Sequence, residues 1–118
     1  MAIQFEEDKV FIKDENIEWE QVDPKVKRKI MAYDKSLMMV KVAFETGGVG
    51  ALHSHFHTQI AHVESGVFEV EVEGVKRILK AGDAYYIPPN AVHGAVCLEA
   101  GVLIDMFSPM REDFIQAK

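Results

Sequence analysis

Hydrophobic and polar residues alternate with a period of two along much of this chain, which is the pattern of half-buried β-strands. The clearest case is the segment 68–73, where phenylalanine and two valines alternate with three glutamates. Gly74 separates it from a second strand-like run at 75–79, so the two runs predict a β-hairpin. We expect one face of this hairpin to be buried and the other to face water.

Further short apolar runs follow the same plan, and residues that favour turns separate them. The runs lie at 37–44, 60–63, 84–87, 95–98 and 102–107. The separating segments are rich in glycine, proline, asparagine and acidic residues. Many short strands at this spacing predict an all-β sandwich or barrel.

A helix signal appears only near the carboxyl end of the chain. Ser108 is a favourable N-cap residue, and Pro109 suits the first helical position. We therefore predict a short C-terminal helix over Met110–Ala117.

The composition indicates one ordinary globular unit. The chain has 118 residues, 48% of them hydrophobic, which suffices for a single core. Since it contains no repeat, linker or low-complexity segment, we predict one domain over 1–118. Its predicted parts are N-terminal strands at about 1–35, a barrel core at about 36–108 and a C-terminal segment at 109–118.

Charge and cysteine content exclude several classes of function. The net charge is −6, and the only basic run, 25–29, is interpreted as a solvated strand, so no nucleic-acid partner is expected. The single cysteine, Cys97, excludes an intrachain disulfide and is expected in the core. The sequence has no apolar stretch long enough to span a membrane and no signal-peptide pattern, so a cytoplasmic protein is predicted.

Three of the five histidines lie in the heptapeptide HSHFHTQ at 53–59. In a strand, residues two apart share a face, so His53 and His55 can direct their ring nitrogens at one ion. Another strand must supply the remaining ligands, and His93 is a candidate. The alternative is a polar strand whose histidines face solvent.

Two motifs in this region resemble those of the cupin family. The segment 50–66 places glycine, His53, His55, Gln59 and glycine in the order of the first cupin motif. The segment 82–93 places Gly-Asp, Ile-Pro and His93 in the order of the second. The resemblance implies a cupin double-stranded β-helix, which is a jelly-roll barrel. It also implies one divalent metal ion held by His53, His55, Gln59 and His93.

The resemblance has departures that bear on chemistry. Gln59 stands where cupins usually carry glutamate, and Cys97 takes a position that is usually asparagine. An amide oxygen is a neutral ligand, so three imidazoles and an amide leave the ion's charge uncompensated and favour an anionic substrate oxygen. Zinc, nickel and manganese all suit this set. Alternatively Gln59 is an ordinary strand residue and the site has three histidines.

A second candidate site surrounds Asp105, the only charged residue in the apolar run 102–107. A lone carboxylate there is costly to bury without a partner. One interpretation is an ion pair between Asp105 and Arg111 that pins the C-terminal segment. The other places Asp105 in the cavity as an acid/base, Phe107 as an apolar or stacking wall, and Arg111 as a bidentate anchor for a substrate carboxylate.

This tail, the segment 26–30 and the glutamine variant together resemble the pectin-degradation cupins of the KdgF type. The resemblance implies metal-dependent ring opening of 4,5-unsaturated uronate monosaccharides, from pectin or alginate, to 4-deoxy-5-keto uronates. It also implies a small anionic sugar as partner and a homodimer, with 3–19 as edge-strand material. The rival functions are a metal-dependent dioxygenase and a non-catalytic sugar-acid-binding cupin.

The roles of one histidine and two tyrosines remain open at this stage. His57 falls between the ligand positions of the first motif and is interpreted as lying beside the metal ligands or in solvent. Tyr85 and Tyr86 occupy opposite faces of one strand, so one of them faces inward. Ordinary core packing is the expected role of that tyrosine.

Overall fold

A computed structural model describes residues 5–116, which form eight strands and three short helical segments. The helices are α1 (Glu7–Val10), a 3-10 turn (Asp14–Asn16) and α2 (Glu112–Gln116). The strands are β1 (Glu20–Asp23), β2 (Val26–Tyr33), β3 (Met38–Phe44), β4 (Val49–His53), β5 (Thr58–Val72), β6 (Val75–Lys80), β7 (Ala84–Ile87) and β8 (His93–Ser108).

Two long strands, β5 and β8, organise the barrel because each belongs to both of its sheets. The first half of β5 and the second half of β8 pair with each other and with β7 and β3. With β2 and β1 added beyond β3, this set is called sheet one. The second half of β5 and the first half of β8 pair with β6 and β4 to form sheet two. All pairs are antiparallel, as the predicted jelly roll requires.

The sheets separate where β5 and β8 bend past each other. The register between these strands shifts around Ser65 and Val67, and Gly66 has a positive φ of 82°. A Cβ placed on Gly101 would lie 2.0 Å from the carbonyl oxygen of Ser65. The glycines therefore permit a close backbone approach that a side chain would block.

We expect Gly101→Ala to destabilise the protein by about 3 kcal/mol or more, because the overlap is with backbone that cannot move aside. Gly50→Ala is the matched control, since its Cβ would meet nothing closer than 3.8 Å. Chemical denaturation of the two variants measures the difference. Equal stabilities would show that the crossing does not require glycine.

Inward-facing residues fill the two ends of the barrel with separate apolar clusters. One contains Phe44 and Phe68, whose rings meet edge to face with centroids 5.2 Å apart. The other contains Met38, Val40 and Phe107, and the C-terminal segment packs on it. This second cluster places the chain after β8 beside the barrel interior.

Several sequence-based expectations are corrected by the fold. The C-terminal helix begins at Glu112 rather than Met110, because Ser108 still pairs with Thr58 in the sheet. Residues 5–19 contain helical segments and no strand, so the described part of the expected N-terminal edge-strand material is not extended. The paired apolar runs at 95–98 and 102–107 are one continuous strand.

The expected core position of the single cysteine is confirmed. Cys97 is 1% exposed in the core. The basic run at 25–29 lies in a strand from Val26 onward, as expected, but it is not fully solvated, because Lys29 is buried with its ammonium 3.3 Å from Asp14. Within the described residues, no helix is long and apolar enough to cross a membrane.

Candidate metal centre

Three histidines meet at the edge of sheet two. His53 is the last residue of β4 and His93 the first of β8, and these two residues are register partners. Their ring centroids are 4.3 Å apart, and His55 lies 4.8 Å from His93. One nitrogen from each ring falls within 4.8 Å of the others, so one ion can contact all three.

Backbone contacts orient two of these rings. Nδ1 of His53 lies 2.8 Å from the carbonyl oxygen of Ala51, and Nδ1 of His93 lies 2.9 Å from that of Ala91. A carbonyl accepts, so Nδ1 carries the hydrogen and donates in both rings, which leaves each Nε2 with its lone pair. Metal-binding histidines are commonly held in this way.

The Nε2 atom of His93 is buried and has no hydrogen-bond partner among residues 5–116. Burial lowers the pKa of His93 to about 4, so the ring is neutral at physiological pH. A buried, neutral, unpartnered nitrogen beside two further imidazoles fits a divalent ion.

Gln59 approaches the same cluster from sheet one. It is 5% exposed, and its Oε1 lies 3.0 Å from Nε2 of His55. Because an amide oxygen accepts, Nε2 of His55 donates to Gln59 in this contact, which places the amide beside the histidine cluster. This position is consistent with the predicted fourth ligand, whose role remains a prediction.

His57 lies beside the cluster, with its ring centroid 5.2 Å from that of His55, but it is not one of the three clustered histidines. It is buried, stacks on Phe56 and donates from Nε2 to the carbonyl oxygen of Met110 at 3.1 Å. The ring therefore connects the histidine loop to the C-terminal segment just before Arg111.

Asp105 faces the interior of sheet one. Its Oδ1 is buried without a hydrogen-bond partner among the described residues. Burial raises the pKa of Asp105 to about 7, while hydrogen bonding from Gln59 and the charge of Arg111 act in the opposite direction. A carboxyl group in this state can either accept or donate a proton near neutral pH.

Arg111 pairs with Asp113 and not with Asp105. Its Nε and Nη2 donate to the two carboxylate oxygens of Asp113 at 3.1 and 2.9 Å. The interpretation in which an ion pair between Asp105 and Arg111 anchors the tail is therefore wrong. The guanidinium also lies over Phe107 and Phe114, at 5.2 and 4.4 Å from the ring centroids. Nη1 makes none of these contacts.

All but one of the candidate residues, the exception being His55, line one cavity of about 290 Å³ between the two sheets. Its lining includes His53, Gln59, His93, Asp105, Phe107 and Arg111. Sequence reasoning missed Arg28 and Phe114, which also line it. The guanidinium of Arg28 lies 4.0 Å from the Phe114 ring centroid and forms an ion pair with Glu20. No local sequence pattern indicates either contact.

A larger groove, of about 830 Å³, runs between 7–17 and β2. It contains no histidine and neither Asp105 nor Arg111. Size alone would favour this groove, but the groups that can do chemistry lie in the smaller cavity.

Comparison with known proteins agrees with this geometry. Residues 40–107 match the family described as the cupin domain. The pectin degradation protein KdgF of Dickeya dadantii (strain 3937) is 53% identical over 107 residues, which cover 89% of this chain and 96% of that protein. The protein is a cupin of the KdgF type.

Solved structures place this cupin in the same group. KdgF from a Halomonas species is 46% identical with a TM-score of 0.86, covering 88% of this chain and 98% of that one. An RmlC-like cupin from Shewanella frigidimarina is 44% identical, also with a TM-score of 0.86, covering 88% and 94%. A predicted oxalate decarboxylase from Thermotoga maritima, 14% identical with a TM-score of 0.77 over 85% and 99%, shares the fold alone.

Proposed function

We propose that this cupin catalyses ring opening of 4,5-unsaturated uronate monosaccharides to 4-deoxy-5-keto uronates in the cytoplasm. One observation carries the proposal: two histidines of a cluster suited to a metal, a guanidinium and a carboxyl group with an unpartnered buried oxygen line the same cavity. The relationship to proteins named for pectin degradation supports the choice of a sugar acid.

The cavity suits one sugar unit better than a polymer. Its volume of about 290 Å³ is at the lower end of the range for small-molecule sites. The protein as a whole carries a charge of −6, which repels an anionic ligand. Arg28 and Arg111 provide local positive charge at the cavity.

The reaction is an isomerisation and needs no co-reactant. The anomeric hydroxyl loses a proton, the bond between C1 and the ring oxygen breaks, and the resulting enolate becomes a ketone when C4 gains a proton. We assign both proton transfers to Asp105, whose unpartnered oxygen faces the cavity side of sheet one. Arg111 holds the substrate carboxylate through its terminal edge, and Phe107 forms the wall beneath it.

His53, His55, Gln59 and His93 are the residues that would hold a divalent ion. When bound, such an ion supplies Lewis-acid stabilisation of negative charge on substrate oxygens. Zinc, nickel and manganese all accept this donor set. Burial lowers the pKa values of His55 and His93, which favours the neutral imidazole form that binds a metal ion.

The test uses metal-replete protein and unsaturated monouronate freshly generated by a polysaccharide lyase. Loss of the ultraviolet absorbance of the conjugated double bond, faster than the spontaneous rate and abolished by chelation, is the expected result. No acceleration would contradict the proposal. Oxygen uptake by iron-loaded protein would then indicate a dioxygenase, and saturable binding without turnover would indicate a sugar-acid-binding cupin.

Arg111→Lys separates carboxylate recognition from chemistry. Lysine keeps the charge but cannot make a two-point contact, so we expect KM to rise by about 10- to 100-fold with a smaller change in kcat. Steady-state kinetics measure the split. Arg77→Lys, at an exposed position on β6, is the matched control. An unchanged KM in the Arg111 variant would exclude this arginine as the carboxylate anchor.

A further inference from the structure

A tyrosine faces Asp105 across the inner surface of sheet one. Ala61 of β5 is the register partner of Asp105 on one side and of Tyr85 on the other. Two strand spacings, roughly 10 Å, therefore separate the backbones of the tyrosine and the aspartate. Ala61 is fully buried and places only a methyl group between them. The phenol and the carboxyl thus border the same space.

Tyr85 lines the cavity, whereas its neighbour Tyr86 points to the outer face and is 57% exposed. The Tyr85 ring packs against the cluster that contains Phe44 and Phe68. Packing explains the ring but not the hydroxyl, since phenylalanine would fill the same volume without a polar atom. The hydroxyl makes no hydrogen bond to any residue in the range 5–116.

The phenol remains protonated under all ordinary conditions. Burial raises the pKa of Tyr85 well above its usual value, and the nearby charge of Asp105 raises it further. A protonated phenol can donate one hydrogen bond, and the structure supplies no acceptor for it. A group with an unused donor, on the wall of a cavity and beside a carboxyl group, is placed to meet a ligand oxygen.

We propose that Tyr85 is a further substrate-binding residue, whose hydroxyl donates a hydrogen bond to the sugar oxygen that is held next to Asp105. This inference rests on the proposed function, because it assumes a sugar acid in the cavity. The Tyr85 hydroxyl is a neutral hydrogen-bond donor on the β7 side of the site, opposite the side from which Arg111 enters. The tyrosine would orient the ring so that the oxygen to be deprotonated faces the carboxyl group.

Tyr85→Phe tests the inference cleanly because it removes only the hydroxyl. We expect kcat/KM for the unsaturated monouronate to fall about tenfold, the size of one well-made hydrogen bond. Thermal stability should not fall, since the hydroxyl has no partner in the folded protein. Tyr86→Phe, which removes a hydroxyl one residue away on the opposite face, should behave like wild type. Calorimetric titration with galacturonate, a saturated uronate that cannot react, measures binding alone and should show the same loss.

These measurements distinguish failure of the Tyr85 inference from failure of the ring-opening proposal. If Tyr85→Phe matches wild type in both turnover and galacturonate affinity, or if it loses stability in step with activity, the inference is overturned. If wild type binds galacturonate and Tyr85→Phe weakens that binding without any turnover in either, the tyrosine's role stands and ring opening falls. If wild type binds no uronate at all, both are overturned.

Discussion

Asp105→Asn is expected to reduce kcat by about 10²- to 10⁴-fold, the contribution typical of a positioned acid/base. Asparagine has nearly the same shape but cannot accept a proton and return it. The carboxyl oxygen Oδ1 lies buried without a partner, so its replacement breaks no hydrogen bond of that atom within residues 5–116. Activity should therefore fall while the fold persists.

Stability provides the discriminating measurement for this variant. A residue kept for structure loses stability when it is changed, whereas a buried carboxyl group kept for chemistry is a cost to the folded state. We expect the melting temperature of Asp105→Asn to equal or exceed that of wild type. Glu64→Gln is the matched control, because it neutralises a partly exposed carboxylate on β5 that lies 4.0 Å from Lys41. Near-normal turnover in the aspartate variant would remove Asp105 from the mechanism.

His93→Gln is expected to weaken metal binding by more than about 100-fold and to abolish metal-dependent turnover. His93 contributes the most buried of the three clustered rings and the unpartnered Nε2 atom. Glutamine is of comparable size but presents an amide in place of the imidazole nitrogen. Metal content after dialysis, and competition with a chromogenic chelator, measure the change.

The same variant has a stability readout that needs no substrate. A metal present at 100 times its Kd stabilises a protein by about 2.7 kcal/mol when it binds only the folded state. Wild type should therefore melt at a higher temperature with added zinc or nickel, and His93→Gln should not respond. His62→Gln, a half-buried histidine outside the cluster, serves as the control and should respond like wild type. Equal metal-dependent shifts in wild type and the His93 variant would exclude the cluster as the binding site.

Together these variants test three functions of the site separately. The histidine variant tests whether an ion binds, the aspartate variant tests proton transfer, and the two cavity-wall variants, at Arg111 and Tyr85, test how the sugar acid is held. Because each has a control of matched chemistry, a general loss of folding is distinguished from a specific loss of function.

Local sequence was sufficient for much of this protein. Period-two patterning identifies strands because a barrel strand such as β5 turns alternate side chains toward the core. The pair His53 and His55 is visible because two ligands on one strand must be two residues apart, and the structure brings both to His93. The glycine turn after Glu73 is equally local, since both residues adopt positive φ angles between β5 and β6.

What the sequence could not determine depends on contacts between distant strands. The apolar runs on either side of Gly101 form one bent strand. The sequence could not show this, because only the crossing with β5 reveals that no turn is needed there.

The sequence by itself determined that this chain is a β-rich barrel with a paired-histidine strand and a lone carboxylate in an apolar run. Only the tertiary structure decided that Arg28, Phe114 and Tyr85 border the same cavity as Asp105. The reason is physical: strand patterns record which face a residue occupies, but not which strands are neighbours. The register of β8, β5 and β7 is set by backbone pairing between residues that lie more than twenty positions apart in the sequence, and no local pattern encodes it.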